Sequence, residues 1–336
     1  MNMDVLDKNM LALVGFDHTC QDDYFPKPVT LRDGRDATIW VHNQTGHGIL
    51  DPEFWQPEDF YESQYREEFS AKSGTKIAPA EHLRIYNELN EKQFCCFSQH
   101  LSKETKCLEI GCSFGGILNK VARVVDVCHG VEANKEDAAF LCQQNRKAKI
   151  FNTTFEKAEL QKDFYDIAVS IEVLEHTFSP RDFLVKCFSV LKHGGILHLE
   201  VPNHNDALLS TYKDEGYERF YYHKAHIHYF TKDSLLEICK KCGFEGRVSS
   251  FLMYPFFNHV WWSQNHTPHR CAASALSTPK PADDTPAGNV INEFYKKTEY
   301  EYERMINEYV LGDCLIFQGR KTYKQSSQNQ CRGKQW

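Results

Sequence analysis

The sequence lacks an excess of basic residues: 39 Lys and Arg face 46 Asp and Glu, for a net charge of −7. Such a chain offers no electrostatic footprint to a nucleic-acid backbone, so nucleic acid is excluded as an expected partner. It also lacks a long apolar run. No stretch reaches the roughly 18 residues that a membrane span requires, and the most apolar one, Phe251 to Trp262, holds Pro255 and His259. The opening MNMDVLDKNM has neither the basic nor the apolar region of a signal peptide. The 13 cysteines are odd in number and scattered, which excludes a disulfide framework. Reduced thiols, a cytoplasmic location, no membrane and a small-molecule substrate are the expectations.

What is present is enough apolar material for a core, 41% of 336 residues. The first 78 residues are aromatic-rich and punctuated by Pro26, Pro28, Pro52 and Pro57, as an irregular N-terminal cap would be. From 79 to 254 strand and helix patterns alternate: KCLEIG, VCHGVE, KAKIFN, FYDIAVSIE, ILHLEVP and RVSSFLMY read as strands. Their continuous apolar character predicts an α/β fold with a doubly wound, mostly parallel sheet covered on both faces. Ser179 before Pro180 starts one helix and Thr231 caps another, which Gly243 ends. Residues 255 to 311 read as an insertion, with a flexible linker over 267–289 and a Tyr-rich helix over 290–310. CLIFQGRK, within 312–323, is the last strand, and 324–336 is expected to be disordered.

The stretch KCLEIGCSFGGILNKV sets the functional question. An apolar run ends in the carboxylate Glu109, then Gly111, Gly115 and Gly116 break the chain before a helix, as a ligand-binding turn requires. A nicotinamide turn wants G-x-G-x-x-G, but Ser113 stands where its second glycine belongs. Glu132 closes the second strand about 20 residues beyond Gly111, where a carboxylate can take both hydroxyls of a ribose. That pairing implies a nucleoside and does not by itself choose between cofactors.

LEIGCSFGG, GVEANKED, IEVLEHTFSPRDFLVKCFSVLKHGGILHLEVPN and HIHYFTKDSLLEICKKCGFE, in that order and spacing, resemble a class I S-adenosylmethionine-dependent methyltransferase. The chain is most similar to the small-molecule branch that includes the ubiquinone-biosynthesis O-methyltransferases. The resemblance covers residues 79–254 and, more weakly, the last strand. It implies a Rossmann-like, seven-stranded sheet with an antiparallel last strand, and S-adenosyl-L-methionine as cofactor. Carried over, Glu109, Gly111, Ser113 and Gly115 border the methionine part, and Glu132 binds the ribose. Phe155 and Glu156 stand where the family contacts adenine, although TTFEKAEL departs from its usual pattern; Ile171 and Glu172 face the sulfonium. Similar HYFT-containing enzymes serve carbohydrate pathways, which implies a saccharide or sugar-derived acceptor. The sugar C-methyltransferases of the branch carry an N-terminal zinc-binding cysteine cluster, whereas only Cys20 precedes residue 95 here, so oxygen, then nitrogen, is the expected acceptor.

Methyl transfer needs an acceptor atom brought to the methyl carbon, and a base if that atom carries a proton. His226 and His228 in YYHKAHIHYFT are the first candidates and His176 in VLEHT the next. Each has a structural alternative. His176 can bond local backbone, and His226 and His228 share a metal-ligand spacing without a matching cluster, so no metal is expected. Cys239 and Cys242 read as packing residues, and Tyr61 and Tyr65, one turn apart, either staple the cap or cover the cofactor. The 251–262 patch is core or a subunit contact, which leaves a homodimer open. A nicotinamide oxidoreductase and a catalytically silent methyltransferase-like partner protein are the rival functions.

Overall fold

The structure, a computed structural model, describes residues 23–57, 59–65, 78–269, 276 and 279–322. The expected tail at 324–336 and part of the expected linker, 270–275 and 277–278, lie outside the described residues. The N-terminal residues are more regular than their prolines suggest. Tyr24–Thr30 (β1) and Asp36–His42 (β2) form an antiparallel hairpin, extended by Gly48–Leu50 (β3). Pro26 and Pro28 are tolerated because β1 is the edge of its sheet, where their missing N–H groups interrupt no ladder with a further strand. Phe60–Ser63 (α1) follows, then Pro79–Ile85 (α2) and Asn87–Cys95 (α3).

The sheet at the centre starts with Lys106–Ile110 (β4), Leu118–Val124 (α4), Val127–Glu132 (β5), Lys135–Gln144 (α5) and Lys149–Asn152 (β6). It continues through Tyr165–Ile171 (β7), Pro180–Val190 (α6), Leu191–Pro202 (β8), Glu215–Tyr221 (α7) and the two-residue His228–Tyr229 (β9), which joins β3. Lys232–Lys241 (α8), Phe244–Phe251 (β10), Phe256–Asn265 (α9), Pro286–Glu308 (α10) and Cys314–Lys321 (β11) complete the chain. The strand order is β10-β11-β8-β7-β4-β5-β6, with β11 antiparallel to both neighbours and β4 to β8 parallel. That is the expected seven-stranded, doubly wound sheet. Order reverses beside β4, so a crevice opens at the carboxyl ends of β4 and β7.

Local chemistry explains the helix starts. The Ser179 side chain accepts the Asp182 amide with Pro180 at the first helical position, and α6 then buries Phe183, Leu184, Cys187 and Val190. Thr231 and Ser234 form a reciprocal capping box at α8. Cys239 is buried in the main core, as a packing residue. The 251–262 patch is largely interior: Phe251, Leu252 and Trp262 are buried, and Trp262 packs on Tyr217 and Phe220. Among the described residues no helix is long and apolar enough to cross a membrane.

Candidate active site

The β4–α4 turn reverses the chain through three left-handed residues, Gly111 (φ +75°), Ser113 (φ +47°) and Gly115 (φ +84°). A Cβ on Gly111 would stand 2.4 Å from Val173 Cγ2, and one on Gly115 2.3 Å from Leu141 Cδ1. Both conformation and packing therefore demand glycine. Glu132 braces the turn: Oε2 accepts the Ser113 amide at 2.7 Å and Oε1 the Asn134 amide at 2.8 Å. Asn134 in turn caps α5, its Oδ1 accepting the Glu136 and Asp137 amides, each at 3.0 Å.

Beside this turn lies a cavity of about 1130 Å³, above the roughly 300–1,000 Å³ usual for one ligand site and so roomy enough for two ligands. Its wall includes Glu109, Gly111, Ser113, Ile171, Glu172 and His226 from the sequence-derived set. Gly115, Glu132, Phe155, Glu156, His176 and His228 are not on that wall. Phe155 is buried against Phe183, with ring centroids 4.9 Å apart, while Glu156 is exposed. His228 pairs with Ile49 in the N-terminal sheet, and its Nδ1 lies 3.2 Å from His47 Nε2. Burial pushes the His228 imidazole down to about 3.

Two glutamates, Glu109 and Glu172, line the cavity, and two more, Glu175 and Glu200, are buried off its wall. Glu109, Glu175 and Glu200 are buried and Glu172 is half-buried, all near the carboxyl ends of β4, β7 and β8. Burial raises each: Glu200 to about 7, Glu175 to about 8, Glu172 well above the carboxylate range with Glu175 and Glu200 adding repulsion, and Glu109 likewise with help from Glu132. Glu200 Oε1 accepts from Gln93 at 2.7 Å, and Cys314 Sγ donates to Glu172 Oε1 at 3.4 Å. Glu109 Oε2 lacks a hydrogen-bond donor, and Glu175 shares a proton with the neighbouring carboxyl of Glu172. An orphaned acceptor at a cavity suits a cation or a donor-rich ligand, and the sulfonium and amino group of S-adenosylmethionine fit that demand.

Two histidines flank Glu175. Nε2 of His176 lies 3.7 Å and Nε2 of His226 3.9 Å from Glu175 Oε1. His176 Nδ1 is 2.7 Å from the Ala225 carbonyl and donates to it, which leaves Nε2 with its lone pair toward the carboxylate. Tyr61 OH donates to the same carbonyl at 2.9 Å, and Tyr65, on the cavity wall, sits edge-on to the His176 ring at 5.5 Å. The His223 ring lies tilted at 49° to that of His226, with centroids 3.8 Å apart. Burial, then neighbouring histidines and Arg32, holds His223 and His226 well below the ordinary imidazole range, so both are neutral near pH 7. Donor atoms of Glu175, His176 and His226 lie within 4.8 Å of one another and could hold a divalent cation, as could those of Glu172, Glu200 and Cys314. Sequence reasoning passed over Glu175, Glu200 and Arg32. The first two lie inside VLEH and LHLEVPN, where apolar neighbours signal burial of a carboxylate.

A family model described as "Methyltransferase domain" matches residues 78–247. Among curated relatives, the ubiquinone biosynthesis O-methyltransferase of Shewanella sp. (strain ANA-3) is 28% identical over 105 residues, 30% of this chain and 44% of that protein. The one from Roseobacter denitrificans is 31% identical over 107 residues, 31% of this chain and 43% of that protein. The matches thus span less than half the length of either relative. Among solved structures, phosphoethanolamine N-methyltransferase 2 of Haemonchus contortus in complex with S-adenosyl-L-methionine is 15% identical with a TM-score of 0.48, covering 82% of this chain and 62% of that one. With half of the chain matched by the family model, on a doubly wound sheet with the glycine turn at its switch point, the protein belongs to the methyltransferase domain family, in its class I architecture.

Proposed function

We propose that the protein transfers a methyl group from S-adenosylmethionine to a hydroxyl of a small polar metabolite, saccharides and sugar-derived compounds included, in the cytoplasm. One observation carries the reading: His226, backed by the buried carboxyl of Glu175, opens on the same cavity as the glycine turn. S-adenosylmethionine, when bound, supplies a methyl group on a positively charged sulfur. Glu109, Gly111, Ser113 and Gly115 would border its methionine part, Glu132 its ribose, Phe155 and Glu156 its adenine, and Ile171 and Glu172 its sulfonium.

The chain's own residues do the rest. His226, unprotonated at pH 7, takes the proton of the acceptor hydroxyl as the oxygen bonds to the methyl carbon and the carbon–sulfur bond breaks, and Glu175 balances the imidazolium in the fraction of molecules where it is ionised, which grows as pH rises toward about 8. His176 is the second candidate base, facing the same carboxylate. His228 stands off the wall, and its buried contact with His47 fits a structural role better. Glu109 and Glu172 on the wall favour a second reading, an amine acceptor, whose ammonium the carboxylates would attract before deprotonation.

Calorimetry with S-adenosylmethionine and with NAD, followed by transfer of labelled methyl to metabolite fractions, tests the proposal. Binding of S-adenosylmethionine with a labelled product supports it. Binding of NAD alone would point to an oxidoreductase, and cofactor binding without transfer to any fraction would point to a silent partner protein.

A further inference from the structure

The β1–β2 hairpin lies outside the residues matched by the family model, yet its tip contributes Arg32 to the cavity wall. The Leu31 amide donates to the Arg35 carbonyl at 2.8 Å and Gly34 adopts φ +87°, which makes the turn tight. Arg32 is fixed three ways. Its amide donates to the Tyr222 carbonyl at 2.8 Å, its Nε donates to the Phe220 carbonyl at 2.6 Å, and its guanidinium carbon lies 4.0 Å from the centroid of the Phe220 ring. The two terminal nitrogens keep all their N–H donors, with no hydrogen bond or ion pair among the described residues. The adjacent carboxylate does not neutralise them: Asp33 Oδ2 accepts from Arg35 Nε at 3.0 Å and from Arg35 Nη2 at 2.7 Å.

Arg32 is exposed and lines the cavity. Its charge adds to the burial that keeps His223 and His226 unprotonated. An anchored guanidinium with unpartnered terminal N–H groups at a cavity wall is a ready donor set for an anionic ligand. Its planar fork matches the paired oxygens of a carboxylate or a phosphate. The wall carries both signs: Glu109 and Glu172 at the strand ends, Asp313 and Asp33, and the cations Arg32 and Lys224, with Tyr217 and Trp262 also on the wall.

We propose that Arg32 anchors an anionic group, carboxylate or phosphate, on the methyl acceptor, so that the N-terminal sheet determines which hydroxyl compounds are taken. This inference rests on the cavity being the shared site of cofactor and acceptor. It gives the mixed charges of the wall a purpose. The anionic end docks at the hairpin, the body lies along the rings, and the hydroxyl points toward His226.

The test uses the full chain, methyl-labelled S-adenosylmethionine and a deproteinised metabolite extract. The labelled product should be retained on an anion exchanger, and phosphatase treatment separates a phosphate, which loses retention, from a carboxylate, which keeps it. With the retained acceptor purified, R32Q should raise KM by about 10- to 100-fold, the loss expected for a charge-assisted contact, with kcat little changed at saturation. R32K keeps the charge without the fork and should fall between. Cofactor affinity and melting temperature should match the wild type in both variants, which separates lost anchoring from misfolding. A neutral or cationic labelled product, or an unchanged KM in R32Q, overturns the assignment while methyl transfer stands. A wild-type protein that binds cofactor yet labels nothing overturns the methyl-transfer reading instead, and the anchor with it.

Discussion

The carboxyl of Glu175 comes within 3.9 Å of Nε2 of His226 and shares a proton with the neighbouring carboxyl of Glu172. Burial raises Glu175 to about 8 and drives His226 well below the usual imidazole range. The ordinary order of a carboxylate and an imidazole is thus inverted. Near pH 7 the proton sits on the carboxyl and the imidazole is free to accept one.

That inversion fixes a pH profile. The turnover rate should rise as pH passes through about 8, because ionised Glu175 stabilises the His226 imidazolium formed during transfer. His226 itself should contribute its limb well on the acid side of 6.5. E175Q should abolish the alkaline rise, and H226A should retain cofactor affinity but lose turnover by about 10²–10⁴-fold. A single limb near 6.5, unchanged in E175Q, would falsify the arrangement.

Stability should follow the same groups. Glu175 has a folded pKa of about 8 against 4.5 for an ordinary glutamate, so its contribution is full below about 4.5 and is lost as pH rises toward 8. His228 runs the other way: at about 3 against 6.5, its contribution is full above 6.5 and is lost as pH falls toward 3. The two windows overlap between 4.5 and 6.5, where their opposing slopes cancel, so the ligand-free protein should melt highest on a plateau across that range. E175Q should flatten the alkaline side, its gain over wild type growing as pH rises toward 8. Melting curves from pH 4 to 9 check this, and an E175Q curve parallel to wild type would refute it.

Much of this site was legible in the sequence because its backbone chemistry is local. Gly111 and Gly115 had to be glycine, and each is found with positive φ against a neighbour that leaves no room for a Cβ. The seven strands followed from continuous apolar runs. What was not legible depends on contacts remote in sequence. Glu175 sits between His176 and His226, 50 residues apart, and nothing in VLEH states that its carboxyl ends between two imidazoles. Arg32 reaches the cavity only because Phe220 and Tyr222 hold it there. Pro26 and Pro28 hid the N-terminal sheet, since proline argues against a strand until the strand is known to be an edge.

The triad of Glu175, His176 and His226 should bind a divalent cation weakly. Its donor atoms already lie within 4.8 Å of one another. Because Glu175 must first lose its proton, affinity should climb with pH up to about 8 and then level off, with protons released on binding. Titration calorimetry with zinc in two buffers of different ionisation heat measures both quantities. H176A and E175Q should each remove the binding, and a pH-independent affinity would place the ion elsewhere.

Glu132 offers the sharpest separation of structure from ligand contact. Both of its oxygens already accept backbone amides, from Ser113 at 2.7 Å and from Asn134 at 2.8 Å, so the side chain braces the glycine turn before any ribose arrives. Each carboxylate oxygen retains a further lone pair, which is what a ribose hydroxyl would use. In E132Q one oxygen becomes an NH2 group facing an N–H, donor against donor. Cofactor affinity should drop by about 1–3 kcal/mol, the penalty for leaving a polar group unmatched, and the melting temperature should fall as the turn loosens. Calorimetry with S-adenosylhomocysteine and its 2′-deoxy analogue divides the two causes. If Glu132 also holds the ribose, the substitution should cost less for the deoxy ligand, which has no 2′-hydroxyl to lose. Equal losses for both would make Glu132 a brace of the turn alone and would leave the ribose to other residues.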